Sequence, residues 1–262
     1  MSKARLFLRS SPHKRGPRKL DSRLRGNERK EFSDVALESA ALYRLMTWLS
    51  PAYPVGAFSY SSGIEWAVEA GDIRDAETLR RWLEAMLTEG TGMSDGIFFS
   101  QIHRAVTCGD NAGLVDTAAL AAAFVPTRER HLETTMLGRA FVDVTRAAWP
   151  CPALTKLQEL WDGPVAYPIA VGVACAGHAI PLAPALHAFL TAVSSNWVSA
   201  GVRLIPLGHT DSQRVLNALE PAVAATAQSA LAAQPDDVSS VTFRADIASA
   251  MHETQYTRLF RS

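Results

Sequence analysis

From Gly163 to Val202 the chain runs for forty residues without Asp, Glu, Lys or Arg. A helix that spans a membrane needs about 20 predominantly apolar residues in one unbroken run. Pro164, Pro168, Pro181 and Pro184 cut this run, His178 and His187 interrupt it, and its last third holds Thr191, Ser194, Ser195 and Asn196. Much of the remainder is Ala and Gly, which gain little on leaving water. The stretch therefore predicts two central helices, near Ala166–Gly177 and Pro181–Leu204, buried on nearly all sides. Gly172, Ala176, Ala192 and Ala200 allow close helix contact, and a second subunit could supply part of the cover.

Helical signals fill the rest of the chain. Leu79, Trp82, Leu83, Met86 and Leu87 form one stripe of a helix that Asp75 opens as N-cap. Asp110 caps an Ala-rich stretch that Pro126 closes, and Thr127 caps the next, where Leu132, Met136, Ala140 and Val144 recur every fourth residue. Thr210-Asp211-Ser212-Gln213 fits a capping box, with Val215, Leu219 and Val223 as a stripe behind it. Alternating strand pairs joined by Asn-Gly or Asp-Gly turns are missing from the sequence. The expected fold is all-α, a single compact domain of about ten helices around the central Ala/Gly-rich pair. Hydrophobic residues at 48% of 262 are enough for a real core and exclude a wholly disordered chain. Three scattered cysteines, Cys108, Cys151 and Cys175, fit a reducing cytosol better than a secreted disulfide framework.

Equal numbers of acidic and basic side chains, 26 of each, conceal a split. Residues 1–30 carry eleven Lys or Arg against Asp21 and Glu28, while the remaining chain has fifteen basic and twenty-four acidic groups. A segment so poor in apolar residues cannot offset its ordering entropy, so 1–36 is expected to be a disordered basic extension. Its charge suits a nucleic-acid arm. An Arg-rich transit peptide is a second reading, which Pro12, Gly16, Pro17 and Gly26 oppose. The favoured third reading is a passive extension or misassigned start, because Ser11–Pro17 and Leu20–Asn27 resemble the translation of a repetitive intergenic DNA element of bacteria.

Catalytic motifs are not evident. Gly172 and Gly177 have the spacing of a phosphate-binding loop, but His178-Ala179 stand where Lys and Ser/Thr are required. Neither a Gly-x-Ser-x-Gly elbow nor a His-Glu-x-x-His pair occurs. Cys175 and His178 share a helix face and could touch Ni²⁺ or Zn²⁺, yet two ligands are too few for a site. A buried thiol and a satisfied core histidine are the simpler reading. No catalytic, metal or cofactor residue is therefore assigned. Two other readings stay open: an enzyme whose residues converge only in space, which a deep pocket with titratable groups would favour, and a direct nickel carrier.

The segment Trp48 to Glu65 is unusual for a loop, since Tyr53, Pro54, Val55, Gly56, Phe58 and Tyr60 make it rich in large apolar groups. The preceding helix must stop before Pro51, and Ser62 with Glu65 is expected to cap a short helix ending at Gly71. Such a loop is either packed internally or a contact surface. A final segment, Gln255 to Ser262, interleaves Tyr256, Leu259 and Phe260 with Arg258 and Arg261, the residue types of interface hot spots.

The Trp48–Glu65 segment resembles the UreF family of urease accessory proteins. Ser195–Ala200, Leu204–Gly208 with Thr210–Arg214, and His252–Ser262 repeat the likeness, which extends over roughly residues 40–262. The basic head and Ser62 depart from the family pattern. The resemblance implies a helical, dimeric, non-catalytic cytoplasmic protein without a cofactor, a chaperone in nickel insertion that binds neither nucleic acid nor membrane. It implies binding to UreD (also called UreH), recruitment of the GTPase UreG, and delivery of both to apo-urease. On that basis residues 37–254 form the helical domain. Residues 255–262 are its partner-binding tail, with Tyr256, Arg258, Leu259, Phe260 and Arg261 as contact residues. Pro54, Gly56, Phe58, Ser59, Tyr60 and Glu65 are the motif loop.

Overall fold

A computed structural model describes residues 38–262. The expectations for residues 1–36 lie outside the described residues. The first helical segment, α1, covers 38–48 and stops ahead of Pro51. There follow α2 (Ile64–Glu69), α3 (Ala76–Thr88), α4 (Thr91–Cys108), α5 (Asn111–Ala123), α6 (Arg128–Ala148) and α7 (Pro152–Leu160). The central pair is α8 (Tyr167–Gly177) and α9 (Leu182–Leu204), and α10 (His209–Ala232) and α11 (Phe243–His252) complete the set. A short 3₁₀ turn at Pro235–Asp237 joins the last two. The described residues contain no strand, so the fold is all-α.

Local chemistry explains most boundaries. Asp75 accepts from the Thr78 amide at the start of α3, Asp110 from Gly113 at α5 and Thr127 from Arg130 at α6. Each satisfies one of the orphan amides of a first helical turn. Two expected caps are not formed. α10 begins at His209 with Gly208 as its N-cap and no side-chain cap, so Thr210 to Gln213 lie inside the helix. α2 begins after Gly63, also without a side-chain cap, because Ser62 and Glu65 are engaged with distant partners.

Helix α8 is the axis of the domain. Every residue from Tyr167 to Cys175 is buried, covered by α4, α6, α7 and α9. Its Gly172 faces α4, where a Cβ would come within 2.5 Å of the Ile102 side chain. Gly138 of α6 is closer still to the backbone, since a Cβ there would lie 2.0 Å from the Val165 carbonyl oxygen. Most of the charge-free run is therefore covered by its own chain, with Ala200 fully buried, while Pro181, Ala183, Pro184, His187 and Thr191 stay exposed along the first half of α9.

The α6 stripe is also corrected. Leu132, Met136 and Val144 are exposed, while Glu129, Glu133, Thr134, Gly138, Phe141, Val142 and Thr145 face inward. This inversion places two carboxylates inside the protein, and they build the site described next.

Candidate partner-docking site

The motif loop and the final residues meet. Ser62 and Gly63 both have positive φ, 56° and 82°, a left-handed pair that turns the chain sharply into α2. Gly63 suits this bend on two counts, since a Cβ would also stand 2.8 Å from the Ser249 amide nitrogen of α11. The turn delivers Ser62 to the interior. Its hydroxyl donates to Glu133 Oε1 at 3.0 Å and accepts from Arg130 at 2.8 Å and from the Trp197 indole N–H at 3.0 Å. Arg130 also pairs with Glu133 Oε2 at 2.6 Å, both side chains nearly buried. A buried ion pair is tolerable only when its remaining hydrogen-bonding capacity is met, and Ser62 helps to meet it.

Three residues further on, Glu65 clasps the tail. Its Oε1 accepts from the Leu259 amide at 2.6 Å and its Oε2 from the Phe260 amide at 2.9 Å. Glu65 Oε2 also lies 3.0 Å from His252 Nε2, and His252 Nδ1 lies 2.6 Å from Glu129 Oε2. His252 is completely buried between the two carboxylates. Glu129 Oε1 in turn accepts from Arg258 at 3.0 Å. Main-chain bonds finish the closure: the Arg261 amide donates to the Ser59 carbonyl, and the Ser61 amide to the Ser262 carbonyl. The Ser262 hydroxyl donates to Glu133.

One tail ring goes inward. Phe260 is only 4% exposed, and the Arg203 guanidinium stands 4.6 Å from its centroid while donating to the Phe58 carbonyl. Tyr256, by contrast, is 102% exposed, and Leu259 and Phe58 also face solvent. The α11 helix adds Phe243, Ile247 and Met251, spaced by four and all exposed. Of the expected contact residues, then, Tyr256, Leu259 and the Arg261 side chain are exposed, Arg258 is tied to Glu129, and Phe260 is packed inside. Of the motif loop, Phe58 is exposed, Pro54, Gly56, Ser59 and Tyr60 are partly covered, and Glu65 is buried.

Glu129, Arg130, Glu133, Trp197, Arg203 and His252 were not identified as site residues from sequence. Their one local signal is that Glu129 and Glu133, four apart, share a face of α6. Apart from the Arg130–Glu133 pair within α6, the hydrogen-bond partners of their side chains lie 68 or more residues away.

Away from this region, a cavity of about 810 Å³ opens between α4, α5, α7 and the α8–α9 turn. Its titratable groups include His103, Arg104, Cys108, Asp110 and Lys156. Several serve the fold: His103 Nε2 meets the Ile180 carbonyl at 2.9 Å, Arg104 donates to Leu231, and Asp110 caps α5. Burial lowers the pKa of His103 and so favours its neutral ring. Cys175 is fully buried, its thiol pushed upward by desolvation, and His178 Nε2 lies 3.0 Å from the Trp149 carbonyl. Among the described residues no group of three His, Cys, Asp or Glu side chains is arranged to hold a metal ion. No helix among them is long and apolar enough to cross a membrane.

Comparison with known proteins agrees with the resemblance carried by the loop and tail. The UreF family model matches residues 73–220. The urease accessory protein UreF of Rhodopseudomonas palustris (strain HaA2) is 63% identical over 227 residues, covering 87% of this chain and 96% of that protein. The urease accessory protein UreF of Bradyrhizobium diazoefficiens is 62% identical over 237 residues, covering 90% and 98% respectively. With helices in the expected places and identity of this extent over nearly the whole described length, the chain belongs to the UreF family of urease accessory proteins.

Proposed function

We infer that the protein is a non-catalytic cytoplasmic adaptor in urease maturation. In this reading it binds UreD (UreH) and, through that complex, recruits the GTPase UreG to apo-urease for nickel insertion. Homodimerisation belongs to the same reading, with two-fold symmetry as the commonest arrangement. The observation that carries it is the outer face of the clasped tail and α11. Tyr256, Leu259, Phe58, Phe243, Ile247 and Met251 are all exposed. Exposed aromatic and aliphatic groups on a segment already ordered by internal bonds bind a protein partner at low entropic cost. Arg261 supplies a charged group beside them.

The test is capture by the full-length chain immobilised at one end. UreD is expected to be retained directly, and UreG only when UreD is present. Failure to retain UreD from either end of the chain overturns the reading, and so does equal retention of UreG alone. Light scattering at micromolar concentration is expected to give the mass of two chains.

A further inference from the structure

His252 is held in an arrangement that needs two protons, one in each of its two carboxylate contacts. Each ring nitrogen faces a carboxylate oxygen, Glu129 Oε2 at 2.6 Å and Glu65 Oε2 at 3.0 Å. A neutral imidazole has one N–H, so one of these carboxylates would then face a nitrogen lone pair. Both contacts form together only when each holds a proton, as they do with both nitrogens protonated. The ring is fully buried, so water cannot fill in for a lost partner.

The other charges nearby do not replace it. On α6, Arg130 is paired with Glu133, and Glu129 has Arg258 of the tail as its second cation. Among the described residues, Glu65 has no ion pair other than His252. On α4 and α11, Asp95 and Asp246 are acids that burial pushes toward the neutral form. On α9, Arg203 is engaged with Phe260 and the Phe58 carbonyl. Glu65 is also the residue that holds the Leu259 and Phe260 amides, and Glu129 the one that holds Arg258. Whichever contact is lost, the carboxylate left without its proton donor is one that fastens the tail.

We propose that Glu65, His252 and Glu129 form a proton-operated latch that fastens residues 255–262 to the domain when the imidazole is doubly protonated and loosens them when it is not. The consequence for partner capture rests on the reading of the tail face as a docking surface; the latch itself does not. Histidine is the side chain whose ordinary charge change falls between about pH 5 and 8. The direction follows from the geometry: the fastening is present while both ring nitrogens carry protons and is lost as pH rises.

Amide hydrogen exchange of the full-length protein, without partners, tests this. Rates are normalised to an unstructured peptide with the tail sequence at each pH. Protection at Leu259 and Phe260 is expected to fall at least about tenfold between about pH 6 and about pH 8.5, with α8 amides unchanged. In Glu129→Gln the side-chain NH₂ can donate to a neutral Nδ1 while the carbonyl still accepts from Arg258. That variant is expected to keep the tail protected across the range. Flat protection in the unmodified protein overturns the proposal, as does an equal fall in Glu129→Gln, or a fall shared by α8. Should the variant not fold, the ¹⁵N shifts of the His252 ring in the unmodified protein decide: they must report loss of a ring proton at the same midpoint as the exchange change. Different midpoints overturn the latch. A latch that operates in a protein unable to retain UreD would remove the docking reading and leave the latch standing.

Discussion

Phe260 and Tyr256 lie four residues apart in one short segment and should behave in opposite ways when truncated. Phe260 is 4% exposed and lies against Arg203, whereas Tyr256 is fully exposed. Replacing a buried Phe by Ala costs about 3–5 kcal/mol, because transfer energy is lost and a cavity is left. Loss of the Arg203–ring attraction adds about 0.5–1 kcal/mol at a partly open site. Against this, a tail segment can peel away before the domain unfolds, so the loss is bounded by what the tail contributes. The lower end, about 3 kcal/mol, is the expected effect of Phe260→Ala. For a domain of this size that lowers Tm by about 6–12 °C. Tyr256→Ala should leave Tm within about 1 °C, since an exposed ring has almost no contact to lose. Affinity for UreD should instead fall by tenfold or more, about 1.4 kcal/mol, if the ring is an anchor. Calorimetry of the two variants beside a UreD titration makes the comparison. A Tm unchanged by Phe260→Ala, or a large loss from Tyr256→Ala, would refute this assignment of an inward and an outward ring.

Gly138→Ala should destabilise, although alanine is the better helix former by about 1 kcal/mol. Its Cβ would meet the Val165 carbonyl at 2.0 Å, and forcing α6 off α8 costs about 1–3 kcal/mol or more, so a rise in denaturation midpoint would show the contact is misjudged. Asp95 is partly buried, and loss of hydration raises its carboxyl to about 7 from an ordinary value of 3.8. The folded state thus holds a proton that the unfolded chain releases near pH 4, and the resulting penalty grows as pH rises to about 7 and stays constant above. Asp95→Asn should therefore raise Tm at pH 8 and leave it unchanged near pH 4; a gain of the same size at both pH values would contradict the assignment.

The parts of this fold that were legible in the sequence are those fixed by neighbours a few residues apart. Asp75, Asp110 and Thr127 cap the helices they were expected to cap, because a cap needs only an oxygen and an amide three residues later. The starts of α8 and α9 were legible for the same reason, since Pro168 and Pro181 stand at them. On α6 the apolar spacing points to the wrong face. Leu132, Met136 and Val144 have the spacing of a buried stripe, but that pattern cannot tell which side of a helix the rest of the chain will cover. The side covered is the one with Glu129 and Glu133, whose burial makes sense only once His252, Arg258 and Ser62 are in place. Ser62 and Glu65 show the same limit: three residues apart they read as a local capping box, whereas their bonds run to Glu133 and Phe260. The long-range partners of a polar residue leave no periodic trace.

The span of those bonds has a consequence for how the molecule is made. Glu65 takes its tail amides from residues 194 and 195 positions later in the chain. At about 5–20 residues per second on the ribosome, that carboxylate waits roughly 10–40 s after its own synthesis for the groups that complete it. In this interval α3 to α10 can already pack around α8 by contacts nearer in sequence, while the Glu65 side of the motif loop stays unfinished. A chain whose translation stops short of Leu259 would carry a nearly whole core and no tail seated on Glu65. A partner that reads the outer face of the tail would thus engage only molecules in which Leu259 and Phe260 have reached Glu65.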